Sequence, residues 1–255
     1  MDVPQSTLEQ ITESEAQMVR TAKERFGNFF LNAWACSVLL SKCVVSVDHT
    51  RLNFARFYAV LKKHHTLAVL SIVRLHKVQA MMDLRQALEA GCAAAFAIAN
   101  PEDEHFFKID QHGIVTTPQK LTEKRYRWLE KNFKARSDEI KTKKDLINNN
   151  QSHANVISAD SVFRIDDTGE LINAPFFDIE DDYFVKTDLW LAAGIALELM
   201  DWFYGVNKGR DVIAFAPRFV EDVQALAKAT DALRAEMVAT DRYQRAMAKM
   251  DARNS

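Results

Sequence analysis

Glycine and proline are scarce, with 7 Gly and 5 Pro in 255 residues. So few chain breakers leave room for long helices and argue against a turn-rich sandwich or barrel. Phosphate loops and dinucleotide fingerprints need Gly at fixed positions, and none of them is present. Nor is there a G-x-S-x-G elbow, an H-E-x-x-H helix or an EF-hand loop. Cysteine is limited to Cys36, Cys43 and Cys92. The odd count, the lack of a C-x-x-C pair and the apolar surroundings exclude a disulfide framework and predict reduced, buried thiols. No Cys/His set surrounds them, so no metal site and no cofactor is expected. A surplus of positive charge is missing too. Thirty-three Lys and Arg stand against 35 Asp and Glu, which removes bulk charge as an argument for nucleic-acid binding.

What is present is ordinary globular material, 48% apolar and 27% charged, which excludes a disordered chain. The N-terminus, MDVPQSTLEQITESEAQ, is acidic and polar and lacks a secretory pattern. The expected location is the cytoplasm. Residues 84–99 and 189–206 are the most apolar stretches. The first contains Arg85 and Glu89, the second Glu198 and Asp201. A spanning helix has few or no charges, so both read as core helices of a bundle.

The patterning predicts a mainly α single domain over residues 1–255: a bundle of six or seven helices with one small β-hairpin. A first helix starts at Ser6 or Thr7, where Ser6 with Glu9 or Thr7 with Gln10 fits a capping box. Its apolar spacing continues through Phe26 and Val38, with buried core out to Val47. Residues 51–100 read as one very long helix, or as two joined near residues 62–65. Asn100-Pro101 stops it. The loop at 101–117 holds two short runs around Gly113 that can pair. Thr117-Pro118 starts a helix, and Ser137-Asp138-Glu139 starts another that runs on to about Ile157. Residues 161–177 are the hairpin, turning at Asp167-Thr168-Gly169, with Pro175 marking an edge strand. Glu180-Asp181-Asp182 opens a helix to about Val206. A C-terminal amphipathic helix over 216–250 carries Phe219, Val223, Leu226, Thr230, Leu233, Met237, Thr240, Gln244 and Met247 at heptad spacing. This seam either packs on the bundle or pairs with a second chain, and a homodimer through it is the expected assembly.

Two features carry candidate chemistry. Arg85 and Glu89 are four apart and share a helix face, ahead of an Ala-rich run that lets another helix approach. They are either an ordinary surface pair or a partly buried pair that needs further partners. The second feature is residues 145–155, with Asn148, Asn149 and Asn150 in a row. Asn is a weak helix former, so the triplet either ends a helix or carries a site. In a continuous helix Asn148 and Ser152 share one face and Asn149 and His153 another. His153 then meets Arg85 and Glu89 as a general base, a proton relay or a satisfied core histidine. Residues 120–144 hold ten Lys and Arg, among them Lys141 and Lys144, with Tyr126, Trp128 and Phe133 interleaved. Such a face tracks phosphates unless its interspersed Glu and Asp make it an ordinary solvated surface. Glu198 and Asp201 are acidic partners for a buried Arg or His or mark an exposed edge. With His153 they also form a conceivable metal set, but without E-x-x-H spacing.

Arg85 to Glu89 followed some 65 residues later by Ser152-His153 resembles bacterial helical proteins related to the HEPN superfamily. The likeness covers roughly residues 60–205. It implies a helical fold and a role in stress response or phage defence. HEPN ribonucleases carry Arg, a polar residue, four to six further residues and then His on one helix. Before His153 the corresponding positions are Asp145, Leu146 and Ile147, none of them basic. Arg56 precedes His64 at the permitted spacing, but Phe57 replaces the polar residue. The transition-state cation is therefore missing from the His153 helix unless Arg85 supplies it in space. The leading expectation is a non-catalytic helical bundle that binds a protein or RNA partner, with Arg85, Glu89 and His153 as the catalytic set if there is one. Asn148, Asn149, Ser152, Lys141 and Lys144 are the expected binding residues. The alternatives are a ribonuclease or other hydrolase using His153 with Glu89 and Arg85, and a scaffold whose polar cluster only fixes helix register.

Overall fold

The computed structural model describes residues 7–151, 162–165, 172–173, 175–179 and 181–254. The fold is mainly α, with nine helices among the described residues and three short two-stranded pairs. The helix count exceeds six or seven because the expected first and last helices are each split, at Gly27 and at Ala239–Thr240.

Helix α1, Leu8–Phe26, opens on the Thr7–Gln10 capping box and stops at Gly27. Gly27 has φ 55° and ψ −131°, a combination open only to glycine. Helix α2, Asn28–Lys42, follows directly, so the expected single first helix is two. The apolar stretch after it is not helix either. Val44–Val47 is strand β1. It pairs antiparallel with β6, Ile213–Phe215, in the register Val44↔Phe215 and Val47↔Ile213. β-branched Val at three of four positions favours the extended form.

Helices α3, Leu52–Val73, and α4, Lys77–Ala99, form a long antiparallel hairpin. The break falls at Arg74–His76, not at 62–65. Leu75 takes a positive φ of 59°. Its N–H donates to Ile72 O and the His76 N–H donates to Ser71 O, the paired bonds of a Schellman motif. Leucine here occupies the place usually held by glycine, so the stop carries no composition signal. The α4 end at Asn100 is as expected, since Pro101 follows.

Strands β2, Lys108–Ile109, and β3, Val115–Thr116, pair around Gly113. Helix α5, Gln119–Asn132, follows Pro118, and α6, Lys134–Gln151, starts three residues earlier than Ser137. The expected continuation of α6 to Ile157 lies outside the described residues. Strands β4, Arg164–Ile165, and β5, Ile172–Asn173, pair inside the expected 161–177 span. The turn at 167–169 lies outside the described residues.

Helix α7, Asp182–Asn207, is capped by the Asp181 carboxylate, which accepts from the Tyr183 N–H. It packs against α2, α3, α4 and α8, Phe219–Val238. It is long and apolar enough to cross a membrane, yet 67% of its most apolar stretch is buried in the bundle. Gly91 of α4 makes the closest approach. A Cβ there would stand 2.5 Å from a Leu199 methyl of α7. Trp202, Phe26, Phe54, Phe96 and Phe203 are the largest side chains of the single core that results. The C-terminal helix is split. After α8 the Thr240 hydroxyl accepts from the Tyr243 N–H and starts α9, Asp241–Asn254. Phe219, Thr230, Leu233 and Met237 of the heptad seam are buried, and α8 lies on α2 and α7.

Candidate functional site

Helices α4, α5 and α6 bring four of the sequence-predicted residues into one furrow. Arg85 Nε donates to Glu89 Oε1 at 3.3 Å, as four-residue spacing on a helix requires. Arg85 Nη1 also donates to Asn148 Oδ1 of α6. Lys144, one turn before Asn148, places its Nζ 3.2 Å from the same Glu89 oxygen. Lys144 also donates to the Tyr126 hydroxyl of α5 at 3.3 Å, with its Nζ 4.7 Å from that ring's centre. The pair on α4 thus gains partners from two neighbouring helices. All three charged side chains stay partly open to water, at 25–37% exposure. Asn149 as a side chain, Ser152 and His153 lie outside the described residues, so the Arg85–Glu89–His153 trio is not brought together by them.

Two clefts flank this network, and Cys92 and Tyr126 line both. The first, about 210 Å³, lies between α3, α4 and α5. Phe57, Ala90, Ala93 and Leu129 line it together with Glu89 and Arg125. The second, about 300 Å³, carries Lys141, Lys144, Glu130, Asp138 and Asp145 over Tyr126 and Trp202. Burial pushes the Cys92 thiol up to about 12 and raises Tyr126 as well. Both are therefore protonated at neutral pH, and neither is a ready nucleophile. Cys36 and Cys43 are free, buried and likewise raised by burial.

Half of the basic run is engaged by other parts of the fold. Arg136 holds Asp201 through Nε at 2.7 Å and Nη2 at 2.5 Å. Lys143 holds Glu198, and Lys134 pairs with Asp138 at 3.1 Å. Arg125 is buried. It donates to the His105 carbonyl and the Thr122 hydroxyl and lies over Phe106, tying the loop before β2 to α5. Four of the ten cations in residues 120–144 therefore meet a carboxylate, and a fifth, Arg125, is buried. Glu198 and Asp201 both pair with cations of α6, but the partners are a lysine and a half-exposed arginine, and Asp201 itself lies on an exposed edge of α7. No group of three or more ligating side chains with metal geometry occurs among the described residues.

Two polar groups escaped the sequence reading. His64 Nδ1 donates to Asp83 Oδ1 at 2.7 Å between α3 and α4, and Asp83 Oδ2 is buried without a partner. His65, one residue on, is fully buried, and its Nε2 donates to the Ala192 carbonyl of α7 at 2.9 Å. Only a fixed α3–α4 register reveals the 19-residue separation of His64 from Asp83 as a contact.

Comparison with protein-family models, with curated proteins and with solved structures finds no match.

Proposed function

We propose that the chain is a non-catalytic helical-bundle protein that binds another protein through the furrow between α3, α4, α5 and α6. The observation that carries this is the 210 Å³ cleft, lined by Phe57, Val60, Ala90, Ala93 and Leu129 together with one acid, Glu89, and one base, Arg125. Around the two clefts Arg85, Arg125, Lys141 and Lys144 face Glu89, Glu130, Asp138 and Asp145. A polyanion such as RNA is drawn by surplus cations, and here four cations stand among four carboxylates. An apolar pocket with polar and aromatic residues around it is instead the anatomy of an anchor site, where one buried side chain of a partner supplies most of the affinity. Val60 of α3 lines the pocket and is exposed, and Met82, one turn before Gln86 on α4, is exposed as well. Protonated Cys92 and Tyr126 support binding over chemistry at this place.

The test fills the pocket. A photo-crosslinking residue at Val60 marks whatever docks there, and Ala93→Met occupies the pocket. Crosslinking to one protein partner is expected, and Ala93→Met should weaken that partner by about 2 kcal/mol or more, roughly thirtyfold. The reading fails if the filled variant crosslinks as well as the parent. It also fails if single-stranded RNA binds with strongly salt-dependent affinity that Lys141→Glu abolishes, or if pure protein cuts that RNA.

A further inference from the structure

The furrow uses one side of α6, and the other side carries an unusual amine. A cavity of about 370 Å³ opens between α6, α7 and α8. Lys143 and Glu198 form its polar wall, Trp190 and Gly194 of α7 border it, and Asp231 and Arg234 of α8 stand at its edge. Lys143 lies across α7 at Gly194, where an added Cβ would stand 3.7 Å from Nζ. Lys143 Nζ meets Glu198 Oε1. The other oxygen of that carboxylate, Oε2, is buried and has no hydrogen-bond partner. Unmatched buried acceptors are costly and uncommon, and this one belongs to a carboxylate whose residue lines the cavity beside the amine. Burial pushes the Lys143 ammonium down to about 8, with Glu139 acting the other way. A lysine so placed is a usable nucleophile near neutral pH. The charged groups facing it are Glu139 from its own helix, Glu198 from α7, and Asp231 and Arg234 from α8.

We propose that Lys143 captures a small 2-oxo acid in this cavity as an imine. The Lys143 ammonium passes one proton to Glu198. The freed Nζ pair attacks the carbonyl carbon, a C–N bond forms as the C=O π bond opens onto oxygen, and one Nζ proton moves to that oxygen to give a neutral carbinolamine. Glu198 then returns its proton to that hydroxyl, which leaves as water, and a protonated imine remains. Ammonium and carbonyl give iminium and water, with no oxidant or reductant. The iminium keeps the positive charge that Glu198 already faces. Carbamate or amide formation would remove it, which favours a carbonyl ligand over carbon dioxide or an acyl donor. Arg234 is the cation available to the carboxylate of the acid, and Trp190, Leu191 and Leu197 form the apolar wall that shields the imine from water.

The experiment incubates the full chain with glyoxylate and cyanoborohydride, which reduces imines to stable amines, and maps adducts by peptide mass spectrometry. Lys143 is expected to label at least about tenfold faster than the exposed Lys120 and Lys131, as its lowered protonation implies. Arg234→Gln, an exposed change that spares the fold, should slow labelling by glyoxylate several-fold and leave labelling by neutral propanal unchanged. Glu198→Gln should slow both. Labelling of Lys143 no faster than Lys131 would overturn the proposal. So would an Arg234→Gln variant that labels like the parent with glyoxylate.

Discussion

At the scale of single residues, burial decides which polar groups stay neutral. His65 is fully buried, and desolvation lowers its pKa despite the Ala192 carbonyl that accepts from it. The unfolded chain therefore binds a proton at this position, at about pH 6.5 and below, that the folded chain refuses. In that window the unfolded state holds more protons, so stability rises with pH up to about 6.5 and is lost as pH falls below it. The slope from this one group is at most about 1.4 kcal/mol per pH unit. Chemical unfolding at pH 5.0 and 7.0 should show it, and His65→Gln should flatten the dependence. An unchanged slope in the variant would mean that other groups set the acid limit. At this scale the sequence was informative where partners lie one helical turn apart. The Arg85–Glu89 contact follows from spacing alone, whereas Tyr126 and Lys144 join it from other helices, and nothing local to them announces it. Lys143 illustrates the same limit. It reads as one more solvated lysine until α7 is laid against α6.

Some elements were well marked by capping chemistry, although Ser137 lies inside α6 and the cap of α5 is Pro118, not Thr117. Thr7 with Gln10, Pro101 and Asp181 all act where their side chains said they would. The missed boundaries are those made by backbone conformation without a telling residue. Leu75 closes its helix in the left-handed region because tertiary packing, including its carbonyl's bond from the Asp178 N–H, holds it there. Gly27 is the opposite case. A lone glycine inside an apolar pattern reads as tolerable, yet its φ and ψ make it the corner between α1 and α2. Nothing lies within 4 Å of where a Cβ would stand, so space is not the constraint. Gly27→Ala should therefore cost about 1–3 kcal/mol through backbone strain alone, and lower the melting temperature by roughly 2–4 °C for each kcal/mol. A variant that melts with the parent would show that the corner is held by something other than glycine's conformational freedom.

For the whole molecule, the question is what the C-terminal segment adds. Helix α8 is part of the core. Asn32 of α2 donates to the Thr230 hydroxyl at 2.8 Å, Trp190 of α7 donates to the Thr230 carbonyl at 3.1 Å, and Phe219 stacks on Phe215 of β6 at 4.4 Å. Helix α9 is attached more lightly, by contact with α8 and by Arg242, which pairs with Asp181 and lies over Tyr183 and Phe184. Exposed ion pairs contribute little. A chain ending at Val238 should keep its helical circular-dichroism signal and melt within a few degrees of the parent. A chain ending at Asp211 loses β6 as well as α8, uncovers α2 and α7 along the seam, and should lose cooperative unfolding. The heptad spacing was legible in the sequence as an apolar stripe, but spacing cannot distinguish a stripe that meets its own bundle from one that meets a second chain. Light scattering alongside the melts makes that distinction. Where the stripe is spent inside the fold, the shorter chain unfolds or aggregates, and the longer one keeps the parent's mass per particle. A chain ending at Asp211 that stayed cooperative and merely halved its mass would put α8 at a subunit interface and take it out of the core.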